Sequence, residues 1–251
     1  MKEPTDTGKN RTGIATSPID SKRTIDGAQV GVAGTDGRLL EAERVAWSRT
    51  AEPLGSVPPP LTPKGAIKTI IEKLQGHEVN VLIDKLGERL QFERTGTRIY
   101  EAVLAKFDAA DVREGGPTRP ELEQFHEEER RHFILVRDAI RQLGGDPTVV
   151  TPCADLVAVA GLGWVQAMTD PRTTLTQALD VLLIAELADN DGWHLLIDLA
   201  QGLGFGDMAA EFRGALAEED AHLTRVRGWI TTTLLGQSGV VATPPEQRPV
   251  A

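Results

Sequence analysis

Two Glu-x-x-His steps constrain this chain more than any other feature: Glu129 to His132 and Glu219 to His222. Residues three apart on an α-helix share a face. Within each step one carboxylate and one imidazole can therefore reach the same metal ion. Two such helices, joined by two others that each supply one Glu, build the core site of a carboxylate-bridged dimetal four-helix protein. The remaining sequence decides whether those two other helices exist.

Apolar residues recurring every three or four positions predict four long helices. The first covers about 80–108, with a stripe of Ile83, Leu86, Leu90, Glu93, Thr97, Tyr100, Leu104 and Phe107. Gly96, close to Glu93, is expected to permit close helix approach. The second covers about 119–143, from a Thr118-Arg119-Pro120-Glu121 start to a Gly144-Gly145 stop, and carries Leu122, Phe125, Glu129, His132, Val136, Ala139 and Leu143. The third covers about 172–202, with Leu175, Leu179, Leu182, Glu186, Asp189, Trp193, Leu196 and Ala200. The fourth covers about 207–235, with Met208, Phe212, Ala215, Glu219, His222, Val226, Trp229 and Thr233. A shorter helix is expected at 63–75, and another within the apolar stretch 154–168. No segment shows convincing strand alternation. The fold class is all-α.

Each long stripe thus places a Glu near its middle, where a solvated charge does not belong. One Glu-x-x-His step alone is common on exposed helix faces. Four agreeing registers are a different matter. Buried carboxylates cost several kcal/mol each or take up protons, and bound divalent cations remove that penalty. Mixed carboxylate and imidazole ligation suits iron or manganese and is compatible with zinc. The metal ligands read from the stripes are Glu93, Glu129, His132, Glu186, Glu219 and His222, with no catalytic residue required beyond them.

The order Glu, Glu-x-x-His, Glu, Glu-x-x-His resembles that of the ferritin-like superfamily, which includes bacterioferritins and rubrerythrins. The resemblance covers about 80–235 and implies a four-helix bundle with a long crossover between its second and third helices. It also implies that Glu93 and Glu186 are terminal ligands, that Glu129 and Glu219 bridge the metals, and that His132 and His222 supply one imidazole per metal. Glu128-Glu129-Arg130-Arg131-His132 is similar to the Glu/Asp-Glu-x-Arg-His run of di-iron oxygenases, in which the leading acid supports a ligand histidine. Glu128 and Glu218 are the corresponding acids here, although the second run has Ala221 where the first has Arg131. The chain departs from both named types. Its central connection is long for a bacterioferritin, and it lacks the cysteines of a rubredoxin domain.

Asp189, three after Glu186, is open to three roles: extra ligand, acceptor supporting a ligand, or solvated acid. Tyr100 is either a packed residue with a satisfied hydroxyl or a partner of the site. His77, His126 and His194 are expected off the site. Gly202-Leu203-Gly204-Phe205-Gly206 resembles a nucleotide loop only superficially, because no strand precedes it.

Composition narrows the function. A net charge of -10 argues against a nucleic-acid partner. Cys153 is the only cysteine, so no internal disulfide or cysteine-ligated cluster is expected. Without an apolar leader or an apolar run of ~18 residues, no membrane is expected, and the expected location is cytoplasmic. Residues 1–59 are rich in Thr, Gly, Ser, Asp and Pro and are expected to form a largely disordered arm with one short helix at 38–49. The bundle is expected over 60–236 and a flexible tail over 237–251.

The functional expectation is a dinuclear centre of two iron ions, or alternatively manganese. It would oxidise Fe(II) or reduce O2 or H2O2 in iron handling or oxidative-stress defence, as a ferroxidase or peroxidase-like enzyme. A homo-oligomer, dimer or larger, is expected. The alternatives are a metal-binding structural or interaction module recruited through the N-terminal arm, a di-manganese catalase-like enzyme and a di-iron oxygenase-like enzyme.

Overall fold

The computed structural model describes residues 18–30, 37–52, 54–59, 78–112 and 114–240. The expected helix at 63–75, His77 and residues 241–251 lie outside the described residues. The chain divides into two units, residues 4–53 and the residues from Leu54 onward.

The first unit carries α1 (Pro18–Gln29) and α2 (Arg38–Thr50). The arm expected to be largely disordered therefore contains two helices. Average composition misses such short runs. Pro18 opens α1 at a position where its missing N–H costs nothing. α2 has Glu41 in its first turn and Arg49 in its last, signs that suit the helix dipole.

The second unit carries α3 (Val79–Ala109), α4 (Arg119–Gln142), α5 (Pro152–Thr169), α6 (Leu175–Gly202) and α7 (Gly206–Ser238). Among the described residues there is no strand, and no helix is long and apolar enough to cross a membrane. Capping explains the sharpest boundaries. Thr118 accepts from the Glu121 backbone N–H while the Glu121 side chain returns to the Thr118 N–H. Thr174 and Gln177 repeat that box, so α6 starts at Leu175 instead of near 172. The last helix, with an expected range of 207–235, does not stop at Gly236. It continues to Ser238, because a helix tolerates an interior glycine and Gly239 supplies the left-handed φ of 76° that ends it.

α3 packs on α4, α5 and α6, and α7 packs on α6 and α4. Two apolar clusters show the direction of each helix. One draws on the start of α3 (Leu82, Leu86), the end of α4 (Ala139, Ile140), the end of α6 (Leu196, Ala200) and the start of α7 (Met208, Phe212). The other draws on the opposite ends: Ile99 and Val103, Leu122 and Phe125, Leu179 and Leu182, Val226 and Trp229. α3 and α7 therefore run one way, and α4 and α6 the other. The link from α4 to α6 must span the length of the helices, and α5 does so. Its 18 residues reach about 27 Å.

α5 is held at its start by Thr151, whose hydroxyl donates to the Asp84 carbonyl at 3.2 Å and accepts from Ala154 N–H at 3.3 Å. Gly87 of α3 is required there, because a Cβ would overlap the Thr151 side chain. On the facing stripe of α3, Thr97 and Leu104 are only half-buried. Gly96 and Val103 take the inner positions instead.

Candidate metal centre

Between the two apolar clusters lies a layer of charge. Glu93 on α3, Glu129 and His132 on α4, Glu186 and Asp189 on α6, and Glu219 and His222 on α7 are all buried, with Glu93, Glu219 and His222 at 0 % exposure. Their ligand atoms converge in overlapping groups. Glu129, Glu186, Glu219 and His222 form one; Glu93, His132 and Glu219 a second; Glu93, Glu129, Asp189 and Glu219 a third. Within each group every ligand atom lies within 4.8 Å of the others, so each group could hold a metal ion.

Glu219 is common to all three. One of its oxygens lies 2.7 Å from His132 Nδ1 and the other 3.2 Å from His222 Nδ1. The two imidazole rings are 6.4 Å apart, so a single carboxylate spans the gap between them. His222 Nδ1 also faces Glu129 at 3.6 Å and Glu186 at 3.7 Å, while His132 Nδ1 faces Glu93 at 4.0 Å. Gly96 makes room for this arrangement. A Cβ there would collide with Glu129 Oε2, so its role is to clear space for a carboxylate instead of bringing backbones together.

The outer nitrogens of both rings are fixed by carboxylates, in a crossed pattern. His222 Nε2 is 2.8 Å from Glu128 Oε2, and His132 Nε2 is 2.9 Å from Glu218 Oε2. Each supporting acid thus serves the histidine of the other Glu-x-x-His step. With Nε2–H donated outward, the inward Nδ1 is left free to bind metal. The acids are themselves held: Gln124 donates to Glu128, and Arg131 of the first run donates to Glu218 of the second. Ala221 can stand opposite Arg131 in sequence because Arg131 already reaches the second acid. Aromatic rings pack on both imidazoles, Phe125 on His222 at 4.0 Å and Trp193 on His132 at 5.5 Å.

The crossed pairing carries a prediction. For any ion held at His222, Glu128→Ala should weaken binding about 10–100-fold while sparing one held at His132, and Glu218→Ala should do the reverse. Metal titration of the two variants separates the cases. Weakening at the His132 side in Glu128→Ala would contradict the pairing.

Tyr100 donates its hydroxyl to Glu186 Oε1. Burial, and then the neighbouring carboxylates, push the phenol well above its ordinary value, so it remains a donor. Asp189 is also part of the centre, and its partner is Arg89, which is not among the expected site residues. Arg89 is 4 % exposed; its Nε lies 2.7 Å from Glu93 Oε1 and its Nη2 2.8 Å from Asp189 Oδ1. A signal for it was present. Arg89 stands four residues before Glu93, and so on the same helix face. A cavity of about 140 Å³ between α3, α5 and α6, walled by Phe92, Val157, Trp164 and Gly192, reaches Arg89. Of the remaining histidines, His126 is half-buried beside Glu101 at 3.6 Å, and His194 is exposed.

The electrostatics follow from crowding. Burial first, and then adjacent carboxylates, raise Glu93, Glu129 and Asp189 well above the usual carboxylate range, and Glu186 above it. Glu219 goes the other way. Burial opposes its ionisation, but hydrogen bonds from both histidines outweigh that and hold it ionised. Burial likewise opposes charging of His132, yet the Glu219 hydrogen bond and the nearby carboxylates raise it to about 9. His222 is raised for the same kind of reason. Glu129 Oε2 lies buried without a hydrogen-bond donor, and the inward imidazole nitrogens face only carboxylate oxygens. The donor set fits divalent ions. Arg89 offsets Asp189, and the four remaining glutamates, once they lose their protons to an incoming ion, would balance two dications. No protein-family model, curated protein or solved structure matches this chain.

Proposed function

We propose that this chain is a ferritin-like di-iron protein that oxidises Fe(II) or reduces O2 or H2O2. The observation that carries the reading is Glu219 spanning the two inward imidazoles with its two oxygens. Glu93 and His132 would hold one ion and Glu186 and His222 the other, with Glu129 and Glu219 reaching both. The parallel course of α4 and α6, linked by α5, is the connectivity such a bundle requires. Iron bound there would supply one-electron exchange with an oxidant.

The protein's own groups set the conditions for that chemistry. Glu128 and Glu218 keep the imidazoles oriented with Nδ1 inward. Tyr100 holds a proton on Glu186 Oε1, where it can be lent to the carboxylate or kept. The two apolar clusters keep water from the layer between them and strengthen every charge interaction inside it.

The test is anaerobic addition of Fe(II) to chelator-stripped protein, followed by air. Binding of about two irons per chain and a new near-ultraviolet absorption are expected, and both should vanish in the double variant Glu129→Ala, Glu219→Ala. A wild-type chain that binds no metal, or a double variant that still binds two, would defeat the proposal. A second reading, a metal-holding module that recruits a partner through residues 1–59, is favoured by α2, whose Leu39, Leu40, Val45 and Trp47 are all exposed. Deleting residues 1–59 would then abolish partner recovery from an intact protein that shows no oxidation chemistry.

A further inference from the structure

The two halves of the centre are not alike. Beside His222, no Lys or Arg forms an ion pair with Glu129, Glu186 or Glu219 among the described residues, and Tyr100 adds only a neutral donor. Beside His132, a guanidinium is already in place. Arg89 holds Glu93 Oε1 through Nε and Asp189 Oδ1 through Nη2, and its Nη1 donates to the Asp189 carbonyl oxygen at 3.0 Å. Three contacts in a planar fork leave it little freedom to withdraw. It is seated between Phe92, with 4.1 Å from its central carbon to the ring centroid, and Trp193 at 5.4 Å. Gly192 of α6 admits it, since a Cβ there would strike Nη1. Arginine stays charged at any pH the protein meets.

From this geometry we propose that Arg89 is a built-in counter-cation that makes the two metal positions unequal: the position at His222 fills first, and the one at His132 binds its ion more weakly. The inference rests on the metal-centre reading above. Arg89 does not block the second position, because Glu93 Oε2 still faces His132. It weakens that position in two ways. It draws Glu93 Oε1 and Asp189 Oδ1 away from an incoming ion, and it repels that ion across a short, water-poor distance. Arg89 is thus a positioning residue that acts through Glu93. In return it gives the empty centre one fixed positive charge among five carboxylates.

The test is a stepwise anaerobic titration of the full, chelator-stripped chain with Co(II), read by visible absorption and by calorimetry. Wild type should show two steps whose affinities differ about tenfold or more. Glu186→Gln should remove the tight step, and Glu93→Gln the weak one. Arg89→Met, similar in length and uncharged, should strengthen the weak step about tenfold and merge the two, whereas Arg89→Lys, which keeps the charge, should leave them apart. Two equal steps in wild type, loss of the tight step in Glu93→Gln, or an unchanged weak step in Arg89→Met would each overturn the proposal. If Arg89→Met does not fold, wild type with the two glutamine variants decides alone. Two equal Co(II) steps would overturn this inference and leave the metal-centre reading standing. No Co(II) binding at all would overturn both.

Discussion

Glu219→Gln should abolish binding of both ions of the proposed dinuclear centre while leaving the helices in place. Every group of converging ligand atoms includes Glu219, and its two oxygens face the two imidazoles. Glutamine has the same shape, but it carries no charge and turns an NH2 group toward one of the inward nitrogens. Losing a residue that only supports a ligand costs about 10–100-fold in metal affinity. Losing the one carboxylate shared by both positions should cost more than about a hundredfold at each, since both sites lose a charged ligand together. The fold should survive, because the two apolar clusters on either side of the charged layer are untouched by the substitution. Elemental analysis after dialysis against a defined metal concentration, with circular dichroism on the same sample, measures both halves. Two ions retained at near wild-type affinity would mean that Glu219 bridges nothing.

The second large effect is a reversal of pH dependence on metal removal. In the empty site Glu93, Glu129, Glu186 and Asp189 hold protons more tightly than they would unfolded, because burial and mutual repulsion oppose their ionisation. His132 also holds its proton more tightly, to about 9 against an ordinary 6.5. A group with a raised folded-state value contributes its stability below the unfolded value and loses it as pH climbs through the folded one. The chelator-stripped protein should therefore be most stable on the acid side of neutrality and weaken toward pH 9. Each additional proton held by the folded state gives a slope of about 1.4 kcal/mol per pH unit. Glu219 and Glu128, held below the ordinary carboxylate range, act oppositely, but their contribution is lost only as pH falls through the acid region. Bound metal needs the same ligands deprotonated, so the loaded protein should gain from rising pH over the same interval. Calorimetric unfolding of both forms between pH 6 and about 9 reads the two slopes. A metal-free midpoint that rises with pH would show that the carboxylates are not in each other's company.

Much of the site was legible because helices make it so. Glu129 and His132, like Glu219 and His222, are neighbours through local geometry alone. Glu93 and Glu186 stood out as charges in otherwise apolar stripes. The long connection after Gly145 required something that crosses the length of the bundle, and α5 is what the chain places there. Arg89 was harder. A cation on a helix reads as solvated until its partners are seen, and one of them, Asp189, is on another helix. The crossed pairing of Glu128 with His222 and of Glu218 with His132 had no sequence signal, since both acids sit beside the other histidine's motif.

What the chain's order of residues determined by itself is periodic: which positions share a helix face, where helices start and stop, and that each long face carries a carboxylate in its middle. These are short-range consequences of a 3.6-residue turn. Only the tertiary structure decided which oxygen meets which nitrogen, that Gly96 clears space for Glu129, and that one half of the centre contains a guanidinium and the other does not. Those contacts join residues from different helices, and their distances depend on how the helices are rotated and spaced against each other, a packing outcome that no local pattern encodes.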